Sequence, residues 1–256
     1  MYKLPAGSVA LVTGAAQGIG CATARAFAEA GAGTVVVADI DRARGESVVA
    51  ELRKLAPGSF FHQTDVSNEA QVDALFEAVR AGVGRLDYAV NNAGIDGDLG
   101  LIEVQTTSNF DRLFGIDVRG MFFCLRREVA VMKKQGSGVI VNIASIAGHV
   151  GFAGTAVYTA AKHAALGLTK AAALETARHG VRVCAISPGA VDTPMTDRFT
   201  GYDEQAKLAM IAGVPLGRLC KPEEIARGAL WLCSPDAALM VGQTLNLDGG
   251  WANVKA

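Results

Sequence analysis

The stretch VALVTGAAQGIG, Val9 to Gly20, passes from an apolar run through a glycine-spaced loop into a helical pattern. Five residues without apolar/polar alternation predict a parallel strand covered on both faces. The loop then predicts a tight strand-to-helix turn. Gly14 allows the sharp bend, Gly18 removes the Cβ that would block a close-lying anion, and Gly20 lets the helix pack near the strand. Gln17 and Ile19 complete the loop. Free N–H groups and the positive end of the following helix favour phosphates there. A glycine pattern alone is weak, but its place between a first strand and a first helix makes it specific for a dinucleotide pyrophosphate.

The same alternation continues along the chain. Strand-like runs occur at 9–13, 34–39, 60–65, 86–91, 138–144, 181–187 and 243–248. Helix-like segments lie near 18–30, 42–55, 69–81, 107–134, 156–179 and 222–233. This order predicts an α/β fold of the Rossmann type, a doubly wound sheet of about seven parallel strands with helices on both faces. Ligands of such sheets bind at the carboxyl ends of the strands, so those ends carry the candidate contacts. Asp39 ends the second strand, where a carboxylate accepts from adenosine ribose hydroxyls and repels a 2′-phosphate. With Gln17 neutral, this predicts NAD, although Arg42 and Arg44 keep NADP open. Asp65 and Val66 follow the third strand and suit the adenine. NNAG, with Asn91, Ala93 and Gly94, follows the fourth and is either a further contact or a strand-end turn.

Bulk properties narrow the function. The 256 residues are half hydrophobic and carry a net charge of −1, which argues against nucleic acid or an anionic membrane as partner. Cys21, Cys124, Cys184, Cys220 and Cys233 are scattered without a C-x-x-C pair, as expected of core thiols in a reducing compartment. No signal peptide or apolar span is legible, and no H-E-x-x-H spacing suggests a metal. The expectation is a cytoplasmic protein of one domain, 1–256. The long aperiodic stretch 188–204 predicts a substrate lid near 190–215.

The chemistry is carried by YTAAK, Tyr158 to Lys162, thirteen residues beyond Ser145 at the end of the fifth strand. At i,i+4 a phenol and an ammonium share one helix face. A cation ~5 Å away at an effective dielectric near 20 favours the phenolate by about 3 kcal/mol. The spacing therefore makes a tyrosine a usable proton acceptor.

TGAAQGIG, NNAG, Ser145, YTAAK, SPGAVDTPM and LNLDGGW together resemble the short-chain dehydrogenase/reductase family over nearly the whole chain. That resemblance implies hydride transfer between NAD(H) and a small secondary alcohol or ketone. It assigns proton transfer to Tyr158, the substrate oxygen to Ser145, and the nicotinamide ribose and support of Tyr158 to Lys162. It also places Pro188, Gly189, Val191 and Thr193 beside the nicotinamide, and implies a homotetramer built on the long helices. One position departs from the family pattern: GIDVRG carries Asp117 where an asparagine is usual, which predicts a working proton relay with altered pH dependence.

Several other residues remain open. His149 and His163 flank the catalytic segment, Cys184 reads as core, and Met195, Phe199 and Met210 are either lid or packing residues. An NADPH-dependent ketoreductase of carrier-bound acyl chains is the runner-up. Asp39 opposes it, as does Leu174, where such relatives often carry arginine. A non-catalytic dinucleotide sensor is the third reading, against which stand the retained Tyr158 and Lys162.

Overall fold

β1 (Val9–Thr13) is buried at all five positions and pairs in parallel with β2 (Thr34–Asp39) on one side and β4 (Tyr88–Asn91) on the other. The computed structural model describes residues 2–252; Met1 and residues 253–256 of the expected 1–256 domain lie outside the described residues. β3 (Phe60–Gln63), β5 (Gly138–Ile143), β6 (Val181–Pro188) and β7 (Thr244–Leu247) complete a parallel sheet in the order β3-β2-β1-β4-β5-β6-β7. The chain builds outward from β1 to β3 and then returns to β4. This reversal opens a crevice above the carboxyl ends of β1 and β4.

Alternate residues of the strands feed two separate cores. Ala10 and Val12 pack with α1 (Gly18–Glu29) and α9 (Pro222–Cys233). Val9 and Leu11 pack with α3 (Glu69–Gly82) and α5 (Met121–Gln135). Both faces being covered, the strands have no need of polar alternation. α2 (Arg42–Leu52) and α6 (Ala156–Thr176) complete the layers.

The helical pattern expected over 107–134 is interrupted. α4 (Thr107–Leu113) and α5 are joined by a π-helical segment, Phe114–Gly120, with Asp117 near its middle. Such wider turns tend to mark functional sites. The aperiodic stretch after β6 contains α7 (Pro194–Phe199), which Pro194 at its first position helps start, and α8 (Glu204–Ala212) follows.

Asn91, expected beside the cofactor, points elsewhere. Its Nδ2 donates to Glu128 Oε2 at 2.8 Å and to Asn142 Oδ1 at 3.0 Å, and Asn142 in turn donates to Thr169 at 2.8 Å. This network ties β4 and β5 to α5 and α6. Burial pushes the Glu128 carboxyl up to about 8, against a smaller pull from Asn91. The folded state thus holds a proton that the unfolded chain releases near pH 4.5. Stability from this group is full below that pH and falls by about 1.4 kcal/mol per pH unit until ionisation near pH 8. Glu128→Gln should flatten the decline of melting temperature between pH 5 and 8, measured by thermal unfolding across that range.

Candidate active site

The crevice above β1 and β4 has a volume of 290 Å³ and holds most of the expected dinucleotide contacts along its walls. Gly14, Gln17, Gly18 and Ile19 line it from the first loop, Asp39 from β2, Asp65 and Val66 after β3, and Ala93, Gly94 and Thr193 from the far side. Gly14 adopts φ +63°, and a Cβ there would lie 2.8 Å from Ala93 Cα, so only glycine fits this turn. Gly20 lies in the first turn of α1 outside the lining. No side chain caps α1 and no acid occupies its first turn, which leaves its leading N–H groups open to an anion.

Asp39 is fixed as well as placed. Ala16 N–H donates to its Oδ2 and Asp41 N–H to its Oδ1, both at 2.9 Å. Gln17 Oε1 accepts from Arg44 at 2.7 Å, whereas Arg42 turns to Glu46 and Gln63. Thr13 Oγ1 accepts from Asn92 and Ala93 N–H, and Asn92 Nδ2 donates to the carbonyls of Thr13 and Gly14. Asn92, the second asparagine of NNAG, therefore staples the β4 turn to the glycine loop and lines the crevice, which Asn91 does not.

A narrow cleft of 100 Å³ continues from the crevice, sharing Ile19, Gly94 and Thr193 with it. Ser145, Tyr158, Lys162, Pro188, Gly189 and Val191 also line this cleft. Ser145, Tyr158 and Gly189 in turn line a third cavity of 450 Å³. The Ser145–Tyr158 pair thus stands where the narrow cleft opens into a separate pocket. Met195, Phe199 and Met210 all line that pocket, and Phe152 meets Trp251 edge-on at a ring separation of 5.7 Å. His149 instead bonds Ser187 at 3.0 Å, His163 bonds the Thr159 carbonyl on an exposed face, and Cys184 is buried.

Lys162 Nζ lies 5.3 Å from the centre of the Tyr158 ring and 2.9 Å from Asp117 Oδ2. Asp117 has no surface in the cleft; it lies behind Lys162, 1 % exposed, with Oδ1 accepting from Ile95 N–H at 2.8 Å. The π-helical segment brings it there, and a Cβ on Gly94 would come within 2.9 Å of its carboxylate. Burial pushes the Asp117 carboxyl above the usual range, against the pull of Lys162. Burial would push the Lys162 ammonium down, but Asp117 and Tyr158 outweigh it and hold the ammonium above its ordinary value. Each partner requires the other, because either charge alone would be stranded in the interior.

A glycine-loop crevice with a fixed acid at one end and a serine–tyrosine–lysine cleft at the other is the arrangement expected of a dinucleotide-dependent oxidoreductase. A family model described as enoyl-(acyl carrier protein) reductase matches residues 14–252. Cis-4-hydroxycyclohexanecarboxylate dehydrogenase of Sinomonas cyclohexanicum is 39% identical over 246 residues, covering 96% of this chain and 97% of that protein. The structure of levodione reductase matches with TM-score 0.94 and 36% identity over 97% of this chain and 99% of that one. A 3-ketoacyl-(acyl-carrier-protein) reductase from Brucella melitensis, complexed with NADH, matches with TM-score 0.88 and 36% identity over 96% and 99%. The chain belongs to the short-chain dehydrogenase/reductase family, whose members bind a nicotinamide dinucleotide. Among the described residues, no helix is long and apolar enough to cross a membrane.

Proposed function

We propose that this protein is an NAD-dependent dehydrogenase that interconverts a small secondary alcohol and its ketone. The observation that carries this reading is the position of Tyr158 and Ser145 on the shared wall between the narrow cleft and the 450 Å³ pocket. A bound nicotinamide dinucleotide supplies the hydride acceptor or donor. Gly14 and Gly18 leave room for its pyrophosphate, and Asp39 receives its adenosine ribose. Asp65, Val66, Ala93 and Gly94 line the adenine and ribose walls, while Pro188, Gly189, Val191 and Thr193 border the nicotinamide end. Ser145 Oγ orients the substrate oxygen, and Tyr158 Oη takes the hydroxyl proton during oxidation or returns it during reduction. The Lys162 ammonium stabilises the phenolate, with Asp117 holding that ammonium in place and offsetting part of its charge.

The pocket favours a compact apolar substrate, since its walls include Phe152, Met195, Phe199, Met210 and Trp251. The named activity of the Sinomonas relative, on a ring-borne alcohol that also carries a carboxylate, supports the ring-alcohol part of this reading. A carrier-bound acyl substrate is less well served: Leu174 is 83% exposed and offers no cation. Exposed Phe122 on α5 and Leu174 on α6 give an apolar outer face consistent with a homotetramer, and five unpaired thiols suit the cytoplasm.

Cofactor choice rests on Asp39, whose carboxylate would face a 2′-phosphate at close range. Asp39→Ser should raise kcat/KM for NADP relative to NAD by about a hundredfold, the scale of one like-charge contact near a protein surface. Arg44, beside Gln17, stands ready to meet the phosphate. Steady-state kinetics with both dinucleotides on a screen of secondary alcohols tests the reading. Production of reduced cofactor from NAD supports it, and equal or better use of NADP by the wild type argues against the NAD assignment.

A further inference from the structure

Every residue lining the 450 Å³ pocket is uncharged except Asp96. Its backbone is clamped on both sides: Ile95 N–H donates to Asp117 at 2.8 Å, and Asp98 N–H donates to Asn109 at 2.9 Å. Gly97 at φ +69° makes the turn between them. The Asp96 carboxylate is thereby held at the pocket wall. Its ion-pair partner is Arg198 Nε at 3.7 Å, beyond hydrogen-bond range. Arg198 lines the dinucleotide crevice and not the pocket, so the pocket meets the acid while the crevice meets the base. Asp96 thus offers carboxylate lone pairs, unfilled by donors among the described residues, in the pocket that Ser145 and Tyr158 also line.

We infer that Asp96 sets the charge specificity of the substrate pocket, selecting neutral alcohols that carry a second hydrogen-bond donor over alcohols that carry a carboxylate. The inference rests on the alcohol-dehydrogenase reading above. A donor such as a hydroxyl or carboxamide N–H satisfies the carboxylate with a charge-assisted hydrogen bond. A second carboxylate about 6 Å away would lose roughly a hundredfold in affinity at an effective dielectric near 20. Arg198, about 10 Å from such a carboxylate on the crevice side, reduces that factor to about sixfold at the same dielectric. Arg198 therefore acts as a partial mask, and removing it should sharpen the selection.

The test compares 3- and 4-hydroxycyclohexanecarboxamide with the corresponding carboxylates, pairs of nearly equal shape that differ in charge and donors. The readout is the ratio of kcat/KM, amide over acid, with saturating NAD. Wild type should give about six or more for at least one ring position, Asp96→Asn a ratio at or below about one, and Arg198→Gln a ratio of about one hundred. A wild-type ratio near or below one overturns the inference. So does a ratio that Asp96→Asn leaves unchanged, or one that Arg198→Gln reduces. Oxidation of cyclohexanol with refusal of every amide and acid overturns the inference and leaves the dehydrogenase reading standing. Refusal of cyclohexanol too, with NAD and NADP, overturns both.

Discussion

Tyr158→Phe should lower kcat for alcohol oxidation by about 10³-fold or more, while dinucleotide affinity falls by no more than about tenfold. The substitution keeps the ring and its packing and removes one oxygen. No other group in the narrow cleft can replace that oxygen: Ser145 Oγ is a poor base, and Lys162 is held as an ammonium by Asp117. Of the two imidazoles near Tyr158 in sequence, His149 is turned to Ser187 and His163 to the Thr159 carbonyl. Positioned proton transfer contributes about 10²–10⁴ to enzyme rates, and in the narrow cleft Tyr158 is the group placed to supply it. NADH fluorescence titration gives the affinity and steady-state assay the rate. A Phe variant that binds NADH and turns over at the wild-type rate would leave the fold as a dinucleotide sensor.

The second large effect concerns the buried pair behind the tyrosine. Lys162→Ala should cost about 3–5 kcal/mol of stability, because it leaves the buried Asp117 carboxyl without its counter-ion, to be carried unpaired or neutralised by a proton. For a chain of this size that lowers the melting temperature by about 10 °C. Adding Asp117→Asn should restore most of the loss, since the double variant buries no unpaired charge, giving a coupling of about 3 kcal/mol. Activity should behave differently. The double variant regains stability yet stays at least about a hundredfold slower than wild type, because no cation remains near the phenolate. Thermal unfolding and kcat measured on the same four proteins separate the two roles. Recovery of both quantities together would mean that Lys162 matters only as a structural counter-ion.

How much of this was legible in the sequence depended on what each residue signals locally. VALVT and TGAAQGIG declare their roles because burial on both faces and the strand-to-helix turn are local demands. YTAAK is legible because i,i+4 is a fixed distance on a helix. The inward turn of the Asn91 side chain was not legible because the facing of two adjacent asparagines depends on strand register and on what lies beneath. Glu128 and Asn142 form the buried polar floor that claims Asn91, and neither carries a sequence signal that joins them to it. Asp117 stood out as a departure from the family pattern, but its direct pairing with Lys162 depends on a π-helical turn that helical periodicity does not reveal. Met195, Phe199 and Met210 left lid and packing equally open, and the structure sets all three around the pocket. Asp96 and Arg198 are brought together from segments about a hundred residues apart, which no local reading reaches.

The most direct test is the pH dependence of kcat/KM for alcohol oxidation by wild type, Tyr158→Phe and Asp117→Asn, measured from pH 6 to 10. The wild-type rate should rise through one ionisation as the proton acceptor forms. That limb should change position in Asp117→Asn, where the charge that holds the Lys162 ammonium is gone. It should be absent from the residual activity of Tyr158→Phe. A limb that persists unshifted in the Phe variant would mean that another group moves the proton.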